Sequence, residues 1–96
     1  MIKHIVMFKF DEKKKGGELD KLVANLGKLP ERIDVVRSYE IGINVVEGPR
    51  NYDVVLVSTF DSREDLKTYA VSEPHMEFLE YMNTCVQDVK VVDFEY

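Results

Sequence analysis

The chain has 96 residues, with 13 lysines and arginines against 18 aspartates and glutamates, and its formal charge of −5 repels nucleic-acid phosphates and anionic lipid surfaces. This length suits one domain over residues 1–96, and a chain of this size buries only about 60–65% of its unfolded surface, so a lone monomer is marginal. The lone Cys85 cannot close an internal disulfide, the chain opens directly into "IKHIVMFKF" without a charged-then-apolar leader, and no apolar run approaches the ~20 residues that cross a bilayer; a reduced, cytoplasmic protein is expected, with neither nucleic acid nor membrane as partner.

Residues 2–10, rich in β-branched and aromatic types and followed by the punctuation of "DEKKKGG", predict a first strand. From 18 to 29, Leu19, Leu22, Val23, Leu26 and Leu29 recur at the three-and-four spacing of a helix that buries one face, and Pro30 is expected to end it. "VVRSYEIGINV" at 35–45 alternates Val35, Tyr39, Ile41 and Ile43 with mostly polar neighbours. The turn residues of "EGPRN" then lead into "YDVVLVSTF" at 52–60, so these two strands form a hairpin.

Ser62, with Asp65 three residues on, resembles a capping box, and Leu66, Tyr69 and Ala70 form a short apolar stripe behind it. Ser72 and Glu73 precede Pro74, a residue tolerated in the first turn of a helix, and Met76, Phe78, Leu79 and Met82 follow, so the helix is broken and restarted. "VQDVKVVDFEY" closes the chain as a fourth strand, with Val89 and Val91 on one face and Val92 and Phe94 on the other.

The order strand, helix, strand, strand, helix, strand is the split β-α-β-β-α-β pattern of an α+β, ferredoxin-like fold, an antiparallel sheet with helices on one face. The first strand carries Val6 and Phe8 on one side and Ile5 and Met7 on the other; the third sets Val54 and Leu56 against Val55 and Val57. Helices cover one face only, so the face of Ile5, Met7, Val55 and Val57 is expected to pack on a second copy of the chain.

"IKHIVMFKF", "YDVVLVSTFDSREDLKTY", "PHMEFLEYM" and the closing "VVDFEY" resemble the Dabb family, the stress-responsive dimeric α/β-barrel domains, over nearly the whole length. The resemblance implies two ferredoxin-like protomers packed sheet to sheet as a barrel. Some plant members are polyketide cyclases of the olivetolic acid type, which perform an intramolecular aldol condensation between sheet and helices; many others have no assigned activity. By this resemblance His75 matches the base, Tyr69 the tyrosine that assists it, and His4 a first-strand histidine of the pocket. The chain departs from the cyclases in carrying Leu19, Leu22 and Val86 where they have bulky aromatics, which implies a differently shaped pocket. It also reads "SEPH" where the family often has His-Pro-x-His.

The residues themselves allow the same chemistry. In the first turn of a helix the positive end of the dipole disfavours an imidazolium, so a neutral His75 can accept a proton. Tyr69, with a phenol pKa near ~10, is a better hydrogen-bond donor than base at neutral pH. The alternative is structural: Tyr69 packs on the sheet with its hydroxyl at the surface, His75 caps its helix, and His4 is a hydrogen-bonded core residue in phase with Ile2, Val6, Phe8 and Phe10. Two histidines among surface carboxylates lack the three or four convergent ligands of a metal site, Cys85 reads as a packed thiol, and no cofactor is expected. Gly16-Gly17 is a turn signal without the rest of a phosphate loop.

The expected pocket lining of His4, Val6, Phe8, Leu19, Leu22 and Phe78 favours an apolar small molecule over a nucleotide. Three functional readings follow: a homodimeric Dabb-type protein that binds such a molecule, a cyclase-like proton-transfer enzyme using His75 and Tyr69, and a cofactor-free monooxygenase of the wider barrel superfamily.

Overall fold

A computed structural model describes all 96 residues. The first strand, β1, runs Ile2–Phe10, and a short 3-10 turn at Glu12–Lys14 lies in the segment read as a loop. Helix α1 spans Gly17–Leu26 and starts at Gly16, whose φ of 90° lies in the left-handed region that favours glycine. The helix expected over 18–29 is two pieces, because a separate turn, α2, covers Leu29–Arg32. Pro30 opens that turn instead of ending the first helix, since a residue without an N–H loses nothing where N–H groups have no intrahelical acceptor.

Strand β2 is Ser38–Ile43 and β3 is Val54–Phe60, each shorter at its start than the sequence pattern suggested. Asp53 accounts for the late start of β3. It is buried, its carboxylate accepts the Phe10 N–H at 2.7 Å and meets Lys15 Nζ at 3.0 Å, and its own N–H donates to the Phe8 carbonyl. A buried carboxylate held this way satisfies the end of β1 and pins the long β2–β3 connection beneath it.

Helix α3, Arg63–Val71, begins at Ser62, whose hydroxyl accepts the Asp65 N–H as the capping pattern required. Helix α4, Glu73–Met82, follows after one residue and has Pro74 in its first turn. Strand β4, Val86–Glu95, completes a four-stranded sheet of order β2-β3-β1-β4, antiparallel throughout. This is the ferredoxin-like α+β architecture, with the helices on one face.

Register decides which side chains meet. Val6 lies opposite Leu56 and Val91, and Phe8 opposite Val54 and Val89, on the helix-covered face. Leu22, Leu26 and Tyr69 of the helices close over them, beside Phe60 at the end of β3, each 1% exposed or less. Burying side chains of this size stabilises by roughly 1.5–3 kcal/mol apiece. On the other face Ile5 lies opposite Val57 and Val92, and Met7 opposite Val55, with Phe94 beside Lys3 at the strand end. No helix covers this apolar strip; Met7, Val92 and Phe94 are exposed, and Ile5, Val55 and Val57 half-buried.

Candidate small-molecule site

The break between α3 and α4 builds the site. Ser72 ends one helix and caps the next: its N–H and hydroxyl both donate to the Tyr69 carbonyl, at 3.2 and 2.7 Å, and its oxygen accepts the His75 N–H at 3.4 Å. The imidazole then folds back, and its Nδ1 reaches the Ala70 carbonyl at 2.9 Å, one of the unpaired acceptors at the end of α3. His75 thereby stands against Tyr69, ring centres 4.6 Å apart, and the ring centre of His4 on β1 lies 6.0 Å from that of Tyr69.

These three rings border a cavity of about 130 Å³ between the sheet and α1, α3 and α4, whose other walls are Val6, Phe8, Leu26, Leu56, Phe78, Leu79, Met82, Val89 and Val91. The structure thus brings His4, Tyr69 and His75 to one cavity together with Val6, Phe8 and Phe78. Leu19 and Leu22 do not line it. Leu22 is sealed within the core and Leu19 packs at its edge, so the wall falls to Leu26, one turn further along α1.

A carbonyl oxygen can only accept, so the bond to Ala70 assigns the ring proton of His75 to Nδ1, and in the neutral imidazole the lone pair is on Nε2. Burial holds the His75 pKa below the ordinary imidazole value of 6.5, against the Ala70 hydrogen bond that favours the charged form, and the nearby His4 adds to the depression. His4 is itself oriented by a hydrogen bond from Nδ1 to the Asp93 carboxylate on β4. The Tyr69 hydroxyl is not at the surface; it pairs with the hydroxyl of Tyr39 on β2 at 3.1 Å. Burial raises both phenols, which keeps them protonated at neutral pH.

The depressed His75 pKa has a signed consequence. Above pH 6.5 the ring is neutral folded and unfolded; below it the unfolded ring takes a proton that the folded one refuses, so stability falls until pH passes the folded value. Thermal melts between about pH 7.5 and 5 are expected to show the wild type losing ground to His75→Asn. A difference independent of pH would contradict a buried neutral ring.

Sequence reasoning missed Tyr39 as the partner of Tyr69 and Asp93 as the partner of His4. Tyr39 carried a signal, since its phase in β2 already placed it on the helix face. Asp93 carried none, because it comes opposite His4 only through the β1–β4 register. Cys85 is buried, and burial pushes its thiol up, as suits a packed side chain.

The sequence from residue 2 to 96 matches the family model of the stress responsive A/B barrel domain, Dabb. The chain belongs to the Dabb family. No curated protein matches it significantly. Among solved structures, this Dabb chain is similar to a dimeric ferredoxin-like protein of unknown function from Thermobifida fusca YX, with 23% identity, a TM-score of 0.87 and coverage of 99% of this chain and 90% of that one. A dimeric protein of unknown function and ferredoxin-like fold from Bacteroides fragilis is 29% identical, with a TM-score of 0.79 over 99% of this chain and 95% of its own. A hydroxynitrile lyase from Passiflora edulis is 21% identical, with a TM-score of 0.84 and coverage of 97% and 90%. No helix of the Dabb chain is long and apolar enough to cross a membrane.

Proposed function

We propose that residues 1–96 act as one cytoplasmic unit that pairs through its open sheet face into a homodimer, and that each protomer holds a small, mainly apolar carbonyl compound between helices and sheet. The cavity carries the reading: ten of its twelve lining side chains are hydrophobic, and the other two are the imidazoles of His4 and His75. Such a mixture suits a ligand that buries a hydrocarbon part and offers one hydrogen-bonding group. The apolar strip around Ile5, Met7, Val55 and Val57 supports pairing, as does the dimeric state of the Thermobifida and Bacteroides relatives. In a thermal-shift screen, aliphatic and flat carbonyl compounds are expected to raise the melting temperature and nucleotides to leave it unchanged. Stabilisation by nucleotides alone would refute the reading.

A second reading, proton transfer on the bound carbonyl compound, is favoured by the tautomer of His75. With Nδ1–H spent on Ala70, Nε2 is free to take a proton from the carbon beside a carbonyl. In the addition step of an intramolecular aldol condensation the resulting enolate carbon attacks a second carbonyl of the same molecule, a carbon–carbon bond forms as the π bond of that carbonyl opens, and the proton returns from Nε2 to the new alkoxide; loss of water then completes the condensation. Tyr69 keeps its own proton for a carbonyl oxygen when Tyr39 is the donor of the phenol pair.

A further inference from the structure

We infer that the site selects neutral, compact ketones or aldehydes of about six to eight non-hydrogen atoms, and turns away longer and anionic ones. This rests on the cavity being the ligand site, as proposed above, and adds what fits it. A volume of about 130 Å³ is a little below the ~150 Å³ of apolar space that admits one benzene, and far below the ~300 Å³ at which ordinary drug-sized pockets begin.

The walls also give the cavity direction. Along β1, His4 and Phe8 are four residues apart, roughly 13 Å, and both face the helices. The His4 end has the imidazole of His75 and the Tyr69 ring, while the Phe8 end is closed by Phe78, edge-on at a ring distance of 6.3 Å, and by the buried Met82. A carbonyl therefore lies toward the histidines, and its hydrocarbon part runs toward two buried rings that block further extension. The open side is at Val91, 51% exposed, beside the half-buried Leu79. Charge narrows the class further. No lysine or arginine lines the cavity, burial disfavours protonation of His75, and the Asp93 carboxylate stands behind His4. A ligand carboxylate would lose its water there without gaining a fixed cation.

The test is an NMR titration of the protein with 2-alkanones from 2-butanone to 2-undecanone, followed through the imidazole signals of His4 and His75. Affinity is expected to peak at 2-hexanone or 2-heptanone and to fall at least about tenfold by 2-undecanone, with hexanoate, which matches 2-heptanone in heavy atoms, at least about tenfold weaker than that ketone. Affinity that keeps rising to 2-undecanone overturns the size limit, and hexanoate binding as tightly as 2-heptanone overturns the charge limit, while both leave the cavity as the site. Imidazole signals unmoved by every ketone overturn the site itself. Leu79→Ala removes wall volume at the open side and is expected to move the optimum up by about two carbons; should it not fold, Val91→Ala makes the same test at an exposed position. An optimum that stays in place in the folded variant shows that these walls do not set ligand size.

Discussion

Val55→Asp is expected to convert the proposed dimer to a monomer and to lower the melting temperature, read by light scattering at micromolar concentration, where the wild type is expected to give twice the protomer mass. Val55 lies in the middle of the uncovered strip, between Met7 of β1 and Gly42 of β2. A Cβ on Gly42 would come within 3.2 Å of Val55 Cγ1, so the glycine gives the valine room to lie across its neighbour. An isologous interface receives the substitution twice, and each carboxylate enters a mainly apolar face. An uncompensated buried charge costs on the order of 3–5 kcal/mol, which exceeds two decades in a dissociation constant. A folded Val55→Asp dimer of unchanged mass would place the interface elsewhere on the molecule.

On the proton-transfer reading, His75→Ala is expected to reduce turnover of a carbonyl substrate by about 10²–10⁴ and to leave the proposed dimer intact, because the variant removes the lone pair that this reading gives the proton to. The same substitution also strips the Ala70 carbonyl of its donor. His75→Asn separates the two roles: its side-chain amide nitrogen can stand where Nδ1 stands and restore the bond to Ala70, yet it offers no base. Activity is expected to stay lost in His75→Asn while its melting temperature exceeds that of His75→Ala. Full activity in the asparagine variant would reduce the histidine to a helix cap. Tyr69→Phe is expected to cost less than either, since it deletes a hydroxyl and keeps the ring that packs against Phe60 at 5.1 Å.

The contrast between the legible and illegible parts of this Dabb chain follows the range of the interactions. Ser62 and Ser72 could be read as helix starts because a cap acts over three residues, and the alternation of Val6 and Phe8 against Ile5 and Met7 could be read as two strand faces because it reflects backbone pleating alone. The helical stripe through Leu19, Leu22 and Leu26 likewise revealed which side of α1 turns inward. It did not tell which of the three leucines borders a cavity, because depth along a buried stripe depends on where the helix sits over the sheet.

The sequence by itself determined the order of the elements and the one-sided cover of the sheet, since each follows from local periodicity and chain connectivity. Tertiary structure alone decided that Tyr69 spends its hydroxyl on Tyr39, 30 residues away, that Asp93 orients His4 across 89 residues, and that the cavity holds about 130 Å³. Strand register and helix packing are settled jointly by every contact in the core, and a shift of one residue in β4 would send Asp93 to the opposite face and leave His4 without its carboxylate.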